Sequence, residues 1–437
     1  MQQNWCKSRP IPDSYWTARR SFLMVIGFVG LVSLLLGTSG CRSASENPEA
    51  LSGHVILWHS WTADEALVLE QSLAEFREAN PYVTIVTLAL PFDELLDRFR
   101  RSAQDGAGPD LLLAPSNWIR DLADANLIRP LEAGEVSDLR LDTRNTRLVA
   151  YQNRVYGVPL SVSPKALYFN QTLVDRPIAT LNELLEHAAS GQEVAFVPRF
   201  EASYWGIQAF GQGLFDPDGV LNLADSGFVD WLAWLKEAQN KPGVILNVDD
   251  EALRQLFAEG RIAYYVAGPE QQTFLKQTMG EDAFGVTRLP GGPARAAGPL
   301  LPAETALFYT FSSEGQARIA LALARFLTNQ QQSIRFMREI DRVPANRQVN
   351  VDPRIYPTVA GFARQATTAI ILPNELDKDR FYAAGDRAYV SALSGLQTPE
   401  EAVCRFGQEV AALQNHSELK TILPAGCGFI VSEPVSN

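Results

Sequence analysis

Residues 54–66 read HVILWHSWTADEA. HVILW is a short apolar run bounded by polar residues, the pattern of a buried strand. A helix signal follows at once: Thr62 and Glu65 stand three apart as in a capping box, and Ala66, Leu69, Leu73 and Phe76 recur at helical spacing. Asn80-Pro81 ends it. A buried strand running straight into a helix opens an alternating α/β unit. The loop between them, WHSWT, holds two tryptophans three residues apart. Trp58, which shares a strand face with His54 and Ile56, points to the core; Trp61 points away from it.

The alternation continues. VTIVTLAL (83–90) reads as the next strand, 93–101 as a helix, DGAGPD as a glycine-rich turn, and Leu111 to Leu113 as a third strand ending in APSNW. This order predicts a parallel sheet with helices on both faces. Ligands of such sheets bind outside the carboxyl ends of the strands, which is where WHSWT and APSNW fall. Downstream, 154–162 and 166–170 read as strands interrupted by Pro164, TLNELLEHA (180–188) as a capped helix, and VAFVP (194–198) as a short strand. Residues 228–238 read as a helix whose Trp231 and Trp234, at i and i+3, suit a packed face. RIAYYVAGP (261–269) is a strand breaking at Gly268-Pro269, and Ser313 with Gln316 caps a helix carrying Ile319, Leu323, Phe326 and Leu327. The Gly/Pro/Ala-rich stretch 289–302 is the clearest crossing between lobes.

At 437 residues the chain exceeds a single hydrophobic core, so two lobes are expected. A net charge of −12 argues against a nucleic-acid partner. The first forty residues differ in kind. Lys7, Arg9, Arg19 and Arg20 precede an apolar run from Phe22 to Leu36, and small residues 37–40 lead to Cys41. That is an export signal, too short in its apolar part to serve as a membrane span. Cys41 after small residues resembles the acylated first residue of a lipoprotein, although Thr38 replaces the usual leucine; simple secretion is the alternative. ARRSFL (18–23) also resembles a twin-arginine motif. Cleavage after residue 40 removes four basic residues and Asp13, which takes −12 to −15. Residues 41–53 then form a Ser/Glu/Pro-rich tether. Cys404 and Cys427 remain, without a CxxC pair; they suit a disulfide in an oxidising compartment rather than a zinc site.

Taken in order, WHSWTADEA, FREANPYVTI, PFDELLDRFR, GAGPDLLLAPSNWIRDLADANLIRPLE, YGVPLSVSPKALYFN, the strand ending AGP, and RFLTNQQQSIRF running to VPAN resemble the extracellular solute-binding proteins of ATP-binding-cassette importers, in the branch that binds maltose and related sugars. The resemblance implies the two-lobed periplasmic-binding-protein fold of type II: two α/β lobes joined by a hinge, with the ligand in the cleft between them. It implies lobe one at 54–160 plus 295–345 and lobe two at 161–294 plus 346–437. It also implies a monomer that delivers a carbohydrate to permease subunits of the membrane, is held there by a lipid, and carries no cofactor or metal. By motif the binding residues would be His59, Ser60, Trp61 and Thr62 after the first strand, Asn117 and Trp118 after the third, Ser163, Tyr204, Trp205, Glu270, Phe381 and Tyr382. Two departures blur the solute: Glu270 replaces a tryptophan of many sugar binders, and Ser163 replaces an acidic residue of the maltose binder. Rings stacking on a sugar's C–H face and polar groups at its rim suit this set.

Other readings remain. A polyol derivative or a glycerol phosphoester fits the same cleft. Adjacent tyrosines, here Tyr264 and Tyr265, ligate ferric iron in relatives of this fold. An enzyme is the rival from another class: the chain has no HExxH, GxSxG or P-loop, but Asp64, Glu65, Glu201 and Glu270 are carboxylates that a glycoside hydrolase pair requires.

Overall fold

The computed structural model describes residues 50–216, 219–413 and 420–427. The export signal, Cys41 and residues 42–49 of the tether lie outside the described residues. Two five-stranded sheets organise the chain. The strands are β1 (Gly53–His59), β2 (Val83–Ala89), β3 (Leu111–Pro115), β4 (Gly157–Val162), β5 (Ala166–Asn170), β6 (Val194–Phe196), β7 (Val244–Leu246), β8 (Tyr264–Ala267), β9 (Phe284–Thr287) and β10 (Ala303–Phe308). The first sheet runs β2-β1-β3-β10-β4 and the second β7-β6-β8-β5-β9.

The opening stretch folds as its pattern dictates. Val55, Leu57 and Trp58 of β1 are buried, and helix α1 (Ala63–Ala79) buries Leu69, Leu73 and Phe76. The Thr62 N–H donates to Glu65 Oε2 at 2.9 Å, closing the helix start. The buried Asp110 carboxylate accepts from the Ile56 N–H at 2.8 Å and from Ser312 Oγ at 2.7 Å. It thereby satisfies backbone where β1 and β3 part.

The first sheet is mixed, which corrects the all-parallel expectation. β1 pairs with β2 and β3 in parallel, but β10 runs antiparallel to both β3 and β4. The physical reason is connectivity: β10 enters through the crossing at 289–302 from the second sheet, without the helical crossover that a parallel neighbour requires. The second sheet is mixed too, with β6, β7 and β8 parallel and β5 antiparallel to β8 and β9.

Helices α2 (Phe92–Gln104) and α3 (Thr143–Val149) follow the first strands; α4 (Phe228–Ala238) lies beyond β6. The capped helix α5 (Glu314–Leu327) and α6 (Gln330–Ile340) follow β10, and α7 (Lys378–Leu393) and α8 (Pro399–Leu413) come later in the chain. The core around α4, α7 and α8 is aromatic: Phe200, Trp205, Phe228, Trp231, Phe381, Tyr389 and Phe406 are all buried. A disulfide joins Cys404 of α8 to Cys427, whose Cα atoms are 5.4 Å apart. Among the described residues, no helix is long and apolar enough to cross a membrane.

Candidate functional site

A cavity of about 200 Å³ opens where strand ends converge. Ser116 and Asn117 follow the carboxyl end of β3, Gly268 and Glu270 follow that of β8, and Glu201 and Trp205 follow β6. Ser163 and Lys165 come from the passage between β4 and β5, and Asn374, Lys378 and Tyr382 from the last return of the chain. Leucine, isoleucine and proline side chains of 299–302 and 370–372 supply the apolar floor.

Trp205 is fully buried, its ring 4.8 Å from that of Trp231 and 5.7 Å from that of Phe196. Its indole N–H has no hydrogen-bond partner in the structure. A buried donor left unpaired costs about 1–3 kcal/mol, and Trp205 is one of the residues in the cavity wall. Tyr382 is half-buried, and burial pushes its phenol well above the usual range. Lys378 donates to Asn374 Oδ1 at 2.6 Å, and burial lowers its ammonium to about 8 against the opposing pull of Glu375 and Asp121. Asn374 in turn donates to the carbonyls of Leu148 at 3.2 Å and Ala150 at 2.9 Å. That buried amide pins the return segment to the end of α3. Glu201 faces solvent in the cleft, yet the protein crowding its carboxyl raises its pKa, opposed by Lys165 and reinforced by Asp386 and Asp379.

Of the residues expected from sequence, Asn117, Ser163, Trp205, Glu270 and Tyr382 line this one cavity. His59, Ser60, Trp61, Thr62, Trp118, Tyr204 and Phe381 lie outside its wall. Trp61 is only 4% exposed. Its Nε1 donates to Glu304 Oε1 at 2.6 Å, Arg342 lies over its ring at 4.0 Å, and the Phe336 ring meets it edge-on at 5.2 Å. A ring covered on this scale has no free face for a sugar. His59 is buried, and its Nδ1 accepts from the Trp61 N–H at 3.1 Å. Burial, then the charge of Arg342, lowers its imidazole, with Glu65 opposing. Ser60 stays in that loop and Thr62 serves as the helix cap. Trp118 is half-buried and packs on Phe92 at 5.7 Å. Tyr204 and Phe381 are core, their rings 5.5 Å and 5.2 Å from that of Phe200.

Lys165, Asn374 and Lys378 escaped sequence reasoning. Lys165 had a signal, a lone cation between two predicted strands in SPKAL. Asn374 and Lys378 had none, because they reach the cavity from a segment far from any strand end in sequence. The neighbouring tyrosines turn apart: Tyr264 OH meets His187 Nδ1 at 2.8 Å, whereas Tyr265 OH donates to Asp250 Oδ1 at 2.8 Å. Of the four carboxylates weighed for hydrolysis, Glu201 and Glu270 share the cavity, while Glu65 is bound up with Arg342 at 2.9 Å.

Comparison with known proteins fits this architecture. Residues 71–358 match the family described as bacterial extracellular solute-binding protein. A binding protein of Brucella abortus strain 2308 is 22% identical over 260 residues, 54% of this chain, so the chain spans 63% of that relative's length. The maltodextrin-binding protein of Bacillus subtilis is 22% identical over 408 residues, 86% of this chain and 95% of its own. Among solved structures, a cyclo/maltodextrin-binding protein complexed with maltotetraose superposes with a TM-score of 0.73 at 19% identity, covering 84% of this chain and 99% of its own. That likeness fixes the fold as two α/β lobes of the type II binding-protein class. The match covers well over half of the sequence, and the chain belongs to the bacterial extracellular solute-binding proteins, an exported family of binding proteins.

Proposed function

We propose that this protein captures a carbohydrate in the cavity between its lobes and delivers it to the permease of an ATP-binding-cassette importer. One observation carries the reading: a single cavity at the strand ends gathers Asn117, Ser163, Glu270, Lys378 and Tyr382, with Trp205 in its wall. The Tyr382 ring for a C–H face, with donors and acceptors for hydroxyls, matches a sugar better than a purely apolar or purely charged solute. The relatives named for maltodextrin support the same class. The lobes divide near 160, 295 and 345, the chain acts as a monomer, and a lipid on Cys41 holds it at the membrane. Capture stabilises the closed form of the hinge, the form that the permease reads.

The test is a thermal-shift screen of the purified mature protein against sugars, polyols and phosphate esters, with chromatography of each ligand afterwards. A raised midpoint with intact maltooligosaccharide supports capture. Release of fragments would instead make Glu201 and Glu270 a hydrolytic pair. No shift with any sugar contradicts the carbohydrate reading.

A further inference from the structure

Lys420–Cys427, the last described stretch of the chain, is a strap with little of its own to hold it. It pairs as a strand over only two residues and leaves Lys420, Ile422, Ala425 and Gly426 exposed. Leu423 is its one core contact, packing at the edge of the cluster formed by α4, α7 and α8. Gly407 of α8 leaves the room for it: a Cβ there would stand 2.4 Å from Leu423 Cδ2 and 2.5 Å from Leu223 Cδ1.

The strap nevertheless completes the residues beneath it. Thr421 and Ile422 run parallel to Leu221 and Asn222. The Leu221 N–H donates to the Lys420 carbonyl and the Leu223 N–H to the Ile422 carbonyl, both at 2.9 Å. Leu221 and Leu223 are fully buried, so removing the strap takes the acceptors from two main-chain donors in the core. The same loop carries Phe215, whose ring lies 5.8 Å from that of Phe381, the neighbour in sequence of the cavity-lining Tyr382.

The Cys404–Cys427 disulfide ties the far end of the strap to α8. Both cysteines are half-buried, and Cys404 stands one helical turn before Gly407. The covalent tie and the seat of Leu423 therefore share one stretch of α8.

We propose that this cysteine pair is a redox latch that completes the fold only outside a reducing compartment. In the dithiol form the strap leaves Leu221 and Leu223; oxidation seats it. The step is thiol–disulfide exchange: the two sulfurs join with loss of two electrons and two protons, and an oxidising protein disulfide takes these up to become a dithiol. An exported protein meets such a partner, whereas a cytosol keeps thiols reduced. The latch is independent of which solute the cavity takes.

Hydrogen exchange of the mature protein, oxidised and after reduction by a phosphine without denaturant, tests it. The Leu221 and Leu223 amides are expected to exchange about tenfold faster in the reduced form, while the Tyr389 amide of α7 does not change. Trypsin then cuts after Lys420 in the reduced form alone. The Cys404→Ser/Cys427→Ser variant shows the reduced pattern throughout, with an unfolding midpoint lower by about 5 °C. Oxidised glutathione restores the wild-type pattern and leaves the variant unchanged. Exchange at Leu221 and Leu223 that ignores reduction means that the strap holds without the bond, and overturns the proposal. A rise of equal size at Tyr389 overturns it too, because the disulfide then serves the stability of the whole lobe.

Discussion

The indole N–H of Trp61 donates to the Glu304 carboxylate at 2.6 Å, across 243 residues of chain. Arg342 completes the arrangement. It bonds both Glu304 and Glu65 while lying over the Trp61 ring, so the loop after β1 is fastened to β10 and to the end of α6. Burial raises the Glu304 carboxyl against the pull of Arg342 and the Trp61 bond. A buried charged group that loses a partner is expensive.

Trp61→Phe keeps an aromatic ring beneath Arg342 and removes the donor to Glu304. The expected loss of stability is about 1.5–3 kcal/mol, the range for a hydrogen bond to a charged group. Denaturant unfolding measures it. Sugar affinity changes by less than about threefold, since the energy of the bond is structural. A tenfold loss of affinity at unchanged stability moves Trp61 back to the ligand.

His59 makes the same loop sensitive to pH. Its folded pKa lies below the ordinary value of about 6.5, so the unfolded chain binds more protons as pH falls through that value. Its contribution is therefore fully present above about 6.5 and is lost as pH drops toward the folded value. Glu304 slopes the other way: its folded pKa is raised, so its contribution is present at acid pH and is lost as pH rises through that raised value. Comparing urea midpoints of wild type and His59→Gln between pH 7.5 and pH 5.5 isolates the histidine. The variant is expected to show the flatter profile.

Trp205→Phe deletes only the unpaired indole N–H and part of the ring. Affinity for the bound sugar falls about fivefold, the effect of one neutral hydrogen bond of about 1 kcal/mol. Isothermal titration reads it, and Trp205→Ala serves as the packing control. Retained affinity in the Phe variant means that the N–H faces no ligand.

These two tryptophans show where sequence reasoning reached and where it stopped. The 2-residue and 3.6-residue periods place HVILW on a strand and Ala63–Ala79 on a helix, because burial of one face imposes those periods on the residues themselves. Asn117 and Glu270 were legible for a related reason: each follows the carboxyl end of a strand, and strand ends are visible in the pattern. Trp61 sits at such an end as well, but its partners Glu304 and Arg342 lie more than 240 residues away and claim the ring for structure. Asn374 and Lys378 are the converse. They join the cavity only because the chain returns to it after β10 and α6, and no local period records that return.

Lys378 predicts a pH limit on binding. Burial lowers its ammonium to about 8, so the group is charged below that pH and becomes neutral above it. Affinity is expected to be flat between pH 6 and pH 7 and to fall as pH rises through 8 to 9. Lys378→Met binds more weakly and shows no fall over that range. A wild-type profile that stays level to pH 9.5 removes Lys378 from the ligand site.

Capture of a carbohydrate between the lobes is tested most directly by calorimetric titration of the mature protein with a series of maltooligosaccharides, alongside Tyr382→Ala. Tyr382 lines the cavity and is half-buried, with its ring 6.4 Å from that of Phe200 and 6.1 Å from that of Phe381, so its truncation removes a cavity-lining ring at the edge of the core. One-to-one binding, with a loss of about tenfold or more in a Tyr382→Ala variant that remains folded at the assay temperature, is the predicted result. Absence of binding across the whole series, or binding that Tyr382→Ala leaves intact, contradicts the account.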